Sequence, residues 1–266
     1  MGILNCETFC AFVALEFEKL TMPTGPVRRI GVQEHASDVM HYIQRQLSAV
    51  DTLVNEGSLS LEEASSSLTE LVLEITSFLY AAGAEHHVWR HWSSLTAFGM
   101  FLAGQLHEAA LYAVLGGEWD FLKVFPAKPV KSKQKADRVT WMLALGQPVA
   151  DLPESSDDKY DNAWLQLAQS IPAQDHRKTE EALKAIANSW MAEYEGDWMN
   201  FHLHSYPDFE TPACAVAAIA RHQGFTPTSL SADQYSFLEA GLAIPEPPPL
   251  FPNYFSLPAS PKESAP

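Results

Sequence analysis

Residues 60–117, SLEEASSSLTELVLEITSFLYAAGAEHHVWRHWSSLTAFGMFLAGQLHEAALYAVLGG, decide the fold class. Ser60 and Glu63 have the spacing of a capping box, which marks a helix start. Ala64, Leu68, Leu71, Val72, Ile75 and Leu79 then recur at steps of three and four, and Gly83 ends the run. A second run, residues 84–102, carries Val88, Trp89, Trp92, Leu95, Phe98 and Phe101. A third, 106–115, stops at Gly116-Gly117, and a short one, 118–125, follows it. Apolar residues at this period form one stripe of a helix. Helical runs joined by such short turns predict antiparallel pairs.

The same period extends in both directions. Met40, Ile43, Leu47, Val50 and Val54 predict a helix over 36–56, with Gly57 as a left-handed cap. Cys6 and Cys10, four apart, would share one helical face as small hydrophobes. Downstream, helices are expected over 138–145, 159–171, 177–194, 211–222 and 232–242. In 177–194, Leu183, Ala187, Trp190 and Met191 share one face and Glu180, Glu181 and Lys184 the other. The 211–222 run is rich in alanine and followed by Gly224, and Asp233 sits in the first turn of the last helix. Only Phe201–His204 reads as an extended piece. Residues 105–125 have the look of one tetratricopeptide-type unit, but no copy recurs at the required period. The expected fold is all-α, with irregular stacked antiparallel helix pairs.

Residues 126–135, PAKPVKSKQK, form the one basic run, with Lys128, Lys131, Lys133 and Lys135, and read as a solvated loop. They divide a helical domain, 1–244, into halves 1–127 and 136–244. The tail, 245–266, holds eight prolines and cannot be helix. Leu250, Phe251, Tyr254, Phe255 and Leu257 suggest that its first half packs back on the domain, with Pro258–Pro266 disordered. The alternative is a ligand for a proline-recognising module.

The 266 residues are 47% hydrophobic, 11% aromatic and 19% charged, ample for a buried core and unlike a disordered chain. No apolar run approaches the ~20 residues that span a bilayer. Seventeen Lys and Arg against 33 Asp and Glu give a net charge of −16. Such a chain repels a phosphate backbone, which argues against nucleic acid and for a basic protein partner. The three cysteines, Cys6, Cys10 and Cys214, show neither metal-ligand spacing nor a disulfide framework, which favours a reducing compartment. No basic segment precedes an apolar stretch at the N-terminus, where Glu7, Glu16 and Glu18 intervene. Cys6 stands where a myristoylation signal after Gly2 needs Ser or Thr. The expected location is the cytoplasm.

Histidines are the sharpest chemical candidates. His86, His87 and His91 lie on one predicted helix, His202 and His204 form an HxH pair, and His107 lies apart. His87 and His91 share a face and, with the HxH pair, have spacing able to hold zinc for a hydrolase. The acidic residue of an HExxH motif is missing, however, and Leu111 replaces the second histidine after His107-Glu108. The competing reading has these rings filling polar gaps beside Trp89 and Trp92. There is no GxSxG, GxxxxGK[ST] or GxGxxG. Cys214, within the alanine-rich helix, reads as a buried inert thiol. The acid pairs Asp157-Asp158 and Glu180-Glu181 read as solvated surface. No catalytic group, metal or cofactor is named by these residues.

Residues 151–210 hold 13 acidic and four basic residues, a net −9 of the whole −16. Aromatics are interleaved with the acids: Tyr160 and Trp164 beside Asp158 and Asp161, Tyr194 and Trp198 beside Glu193, Glu195 and Asp197, and Tyr206 and Phe209 beside Asp208 and Glu210. Aromatic anchors in an acidic field suit a protein-binding surface. The candidate partner-binding residues are Asp157, Asp158, Asp161, Glu193, Glu195, Asp197, Trp198, Asp208 and Glu210. The alternative makes the aromatics core and the acids their solvated neighbours.

The segment YDNAWLQLAQSIPAQDHRKTEEALKAIANSW, 160–190, followed by DFETPACAVAAIARHQGF, 208–225, resembles α-helical immunity proteins of bacterial polymorphic-toxin and type VI secretion systems. The likeness is to the family catalogued as immunity protein forty-nine and, more loosely, to PoNe-type nuclease inhibitors. It rests on Tyr160, Asp161, Ala163 and Trp164, and on Asp208, Phe209, Glu210 and the small residues Ala213 through Ala220. It spans roughly residues 85–243. The resemblance implies a protein without enzymatic activity or cofactor that occludes a cognate toxin. That toxin would be basic and act in the cytoplasm. A helical adaptor for another partner is the second reading.

Overall fold

In the computed structural model the described residues are 2–3, 5–21, 23, 32–126, 135–147, 158–194, 211–242 and 255–256. At 2–3, 32–36, 192–194, 211 and 255–256 the description covers the backbone alone. These residues form an all-α fold: ten α-helices, one 3₁₀ turn and a two-residue parallel strand pair. Contacts divide the chain into two units, Met1–Phe125 with Glu246–Pro266, and Pro126–Pro245. None of the described helices is long and apolar enough to cross a membrane.

In the first unit, α1 (Cys6–Glu18) and α2 (Val32–Asn55) both pack on α3 (Leu61–Ala81). α3 packs on α4 (His86–Leu102), and α4 on α5 (Leu106–Gly116). α3 starts where the sequence places it: the Ser60 side chain accepts from the Glu63 amide, and the Glu63 carboxylate accepts from the Ser60 amide at 3.0 Å. Satisfying two otherwise orphaned donors fixes the helix start. Gly57 has φ +71°, the left-handed conformation expected of it. α3 and α4 are joined across their interface by the Thr76 and Thr96 hydroxyls, 2.9 Å apart in a fully buried contact. Phe9 of α1, Ile75, Phe78 and Leu79 of α3, and Trp89, Leu95 and Phe98 of α4 are fully buried. Each such side chain contributes about 1.5–3 kcal/mol by leaving water.

Residues 118–125 do not form the expected α-helical turn. They hold a 3₁₀ turn, Phe121–Val124, after Gly117 has ended α5 with φ +80°. Phe121 is fully buried and meets Phe98, Phe101 and Phe125 at centroid distances of 5.1–5.2 Å. Burying this ring, with Pro126 close behind, leaves no length for a second α-helix. Residues 105–125 are thus one helix and a turn, without the helix pair of a tetratricopeptide unit. β1 (Gly2–Ile3) pairs in parallel with β2 (Phe255–Ser256), so at these residues the proline-rich tail returns to the first unit. Pro258–Pro266 lie outside the described residues, as does the expected extended piece Phe201–His204.

The second unit contains α6 (Lys135–Ala144), α7 (Lys159–Ser170), α8 (His176–Tyr194), α9 (Thr211–His222) and α10 (Ala232–Leu242). α7 packs on α8, α9 on α10, and α6 on both α7 and α9. The alanines of α9 permit a very close approach to α10. A Cβ added at Gly241 would stand 2.0 Å from the Cys214 carbonyl oxygen, a distance no real contact reaches. Cys214 is fully buried, its Sγ 3.4 Å from the Phe237 carbonyl, as expected of an inert thiol.

Two charged residues of this unit differ from the sequence expectation. Lys135 opens α6 instead of extending a solvated loop, and its Nζ lies 2.8 Å from Asp161. Glu180 is 6% exposed rather than on a solvated face. Its Oε1 accepts from the Thr228 and Ser229 amides at 2.9 and 2.6 Å, and its Oε2 from the Thr228 hydroxyl at 2.8 Å. The carboxylate is buried because the α9–α10 connection folds over it and supplies the donors that water would have given.

Candidate functional site

Among the described residues a cavity lies wholly within the first unit, where the C-terminal end of α1 meets the N-terminal half of α4 and the end of α5. It has a volume of ≈ 350 Å³ and mostly apolar walls. Glu16, Lys19, Leu20 and Thr21 come from α1 and the residues after it, His87, Val88, His91, Trp92 and Ser94 from α4, and Gly116 and Glu118 from the end of α5. This size and lining are those of a small-group binding site.

α1 is positioned by its own sequence. The Asn5 side chain caps it by accepting from the Thr8 amide at 2.8 Å, and Phe9 and Val13 bury its inner face. Three residues beyond Val13 that face delivers Glu16. On the opposite wall, α4 runs close to α5: a Cβ at Gly116 would meet Ser94 Oγ at 2.4 Å and the Ser94 backbone nitrogen at 3.0 Å. Glycine at 116 therefore lets α5 end directly against α4, which closes the back of the cavity.

Glu16 forms the polar floor. Its Oε2 lies 2.8 Å from His91 Nε2 and its Oε1 2.6 Å from Lys19 Nζ. A carboxylate only accepts, so Nε2 carries the histidine proton and Nδ1 keeps its lone pair when the ring is neutral. Burial lowers the pKa of His91 below its ordinary value, outweighing the raising effect of Glu16. At neutral pH the ring is uncharged, and the charged residues in the cavity lining are Glu16, the exposed Lys19 and the buried Glu118. Phe12 flanks the imidazole, with ring centroids 6.2 Å apart.

The other histidines have local roles. His86 Nδ1 accepts from the Trp89 indole at 3.1 Å, and the exposed His87 lies 3.2 Å from Glu85. His86 thus fills a polar gap beside Trp89. Among the described residues no three His, Cys, Asp or Glu side chains gather as a metal site would require. His202 and His204 lie outside them. Cys6 and Cys10 are half-buried on α1, and the Cys10 thiol is raised to about 11, by burial first and then by its neighbour Cys6. At that value it is protonated and poorly nucleophilic at neutral pH.

Of the acidic candidates, Asp158 and Asp161 are described and lie together at the start of α7. Asp158 is its N-cap, accepting from the Tyr160 amide at 2.9 Å. Asp161, 33% exposed in its side chain, pairs with Lys135. Both therefore serve the fold of the second unit. Trp164 is fully buried against Tyr160, so this aromatic belongs to the core, as the alternative reading has it. Glu193 lies on α8 with only its backbone described. Asp157, Glu195, Asp197, Trp198, Asp208 and Glu210 lie outside the described residues.

Sequence reasoning missed the cavity because at the N-terminus it went no further than a helical face shared by Cys6 and Cys10. The signal was present: Asn5 is a capping residue, and Cys6, Phe9, Cys10, Val13 and Phe17 recur at steps of three and four. Glu16, taken only as an interruption of a possible leader, is the residue that meets His91. No family model, curated protein or solved structure matches the chain.

Proposed function

We propose that this chain is an acidic helical protein that captures a basic partner protein in the cytoplasm and blocks it, as an immunity protein blocks its cognate toxin. The observation that carries this reading is the charge distribution: −16 overall, of which −9 falls between residues 151 and 210. Charge of one sign at that density raises the encounter rate with a basic protein and turns nucleic acid away. The resemblance of residues 160–190 and 208–225 to α-helical immunity proteins supplies the toxin as the class of partner. The protein acts by binding and has no reaction of its own.

Co-expression with the product of the adjacent gene tests this. The expected result is that the neighbour alone arrests growth, that the chain restores it, and that the two co-purify. A neighbour that is harmless and is not retained would overturn the reading. Retention of a harmless neighbour would favour the adaptor reading.

A further inference from the structure

We propose that the cleft between α1, α4 and the end of α5 seats a basic side chain of the partner, its guanidinium or ammonium group set against Glu16. The identity of the donor rests on the capture reading; the chemistry of the seat does not.

The seat already holds a cation of the chain's own. Lys19 Nζ lies 2.6 Å from Glu16 Oε1 while its side chain is 59% exposed. An exposed pair of this kind is weakly held and easily exchanged. Two helices end at the cleft, α1 at Glu18 and α5 at Gly116, and one starts there, α4 at His86, so the termini leave a net of about half a negative charge beside the carboxylates of Glu16 and Glu118. The neutral imidazole of His91 adds no opposing charge, and Leu20, Val88 and Trp92 offer apolar wall to the methylene stem of an arginine or lysine. An aliphatic stem with a cationic head matches this combination of apolar wall and acidic floor. A free carboxylate or phosphate would face the carboxylates of Glu16 and Glu118, against which the single helix start of α4 is outweighed by two helix ends.

The probe is N-acetyl-L-arginine amide, titrated into the isotopically labelled full chain at constant ionic strength and followed by amide shifts in nuclear magnetic resonance. Expected are saturable shifts confined to residues 16–21, 87–94 and 116–118. Lys19→Gln should tighten the probe two- to fivefold, the range for releasing an exposed ion pair. Lys178→Gln, an equal charge change on α8, should leave its affinity unaltered. Val88→Trp, which plugs the rim without touching Glu16, should abolish the shifts while leaving the circular dichroism helical. Shifts scattered over all acidic surfaces, or equal effects of the two lysine changes, would show a general field and overturn the seat.

The two proposals fail separately. Probe binding in the cleft, with no partner captured in co-expression, upholds the seat and removes the immunity reading. A captured partner whose affinity ignores Val88→Trp, with cleft amides unmoved by the probe, removes the seat and leaves capture standing.

Discussion

Replacing Glu180 should destabilise the second unit by an amount that separates its charge from its shape. The carboxylate gathers three donors from the α9–α10 connection, two of them backbone amides at 2.9 and 2.6 Å on one oxygen. Hydrogen bonds to a charged group contribute about 1.5–3 kcal/mol each, against about 0.5–1.5 for neutral ones. Glu180→Gln keeps the shape: its carbonyl oxygen can take both amides and its NH2 can donate to the Thr228 hydroxyl. Only the charge is lost, at a cost of about 1–2 kcal/mol. Glu180→Ala removes the protein acceptor from both amides. Because Thr228 and Ser229 are exposed, water takes over their amides once the carboxylate is gone, and the cost is about 2–3 kcal/mol rather than the full sum.

Urea unfolding and hydrogen exchange at the Thr228 and Ser229 amides measure this. Burial raises the Glu180 carboxyl, but donation from Ser229 and Thr228 outweighs it and holds the group below its ordinary 4.5. A lowered folded value means that the stabilisation is full above 4.5 and is lost as pH falls through the folded value. The wild type should therefore lose stability more steeply than Glu180→Gln between about pH 5 and 3. Equal costs for Gln and Ala, or a cost for Ala below about 1 kcal/mol, would refute the account of Glu180 as an anchor.

Other consequences are equally open to measurement. His91, whose folded value lies below its ordinary 6.5, should lose stability as pH falls through 6.5. Thermal melts from pH 7.5 to 5.5 should accordingly show a shallower fall in His91→Gln than in the wild type. Gly241→Ala should cost more than about 3 kcal/mol or abolish soluble expression, because backbone and not a flexible side chain occupies the space; an unchanged melting temperature would contradict the α9–α10 contact. Asp158→Asn, which keeps a capping side chain while removing its charge, should alter stability by less than about 0.5 kcal/mol. It should also slow association with a basic partner at low salt, read by surface plasmon resonance at two ionic strengths, if this end of α7 faces that partner.

The helices were legible in the sequence because their signals are local. Ser60, Glu63 and Gly57 act within one turn, and the apolar steps from Leu68 to Leu79 need no knowledge of what they pack against. Glu180 was not legible: on a helical wheel it stands beside Glu181 and Lys184 on the polar face. Its burial is decided 48 residues later, by a connection that brings Thr228 and Ser229 over it. Lys135 and Asp161 escape sequence reasoning for the same reason, since their pairing depends on how α6 lies against α7. The cleft was half-legible. His87 and His91 share a face by their spacing, but the partner of His91, Glu16, is 75 residues away, on a helix of whose five-residue apolar stripe the two cysteines alone stand out in the sequence.

The strand pair couples the first unit to the synthesis of everything between its two pieces. Gly2 faces Phe255 across roughly 250 residues. Closing a loop of that length in an unfolded chain costs about 5 kcal/mol in entropy, beyond what the hydrogen bonds of a two-residue pair return at about 0.5–1.5 kcal/mol each. The pair therefore cannot form by itself. It closes only after the intervening helices have folded and shortened the distance for it. On the ribosome β1 emerges before β2 and waits, unpaired, until the residues between them have been made. An isotope-labelled amide at Ile3 would thus report the docking of β2, gaining protection last in refolding and losing it first in urea.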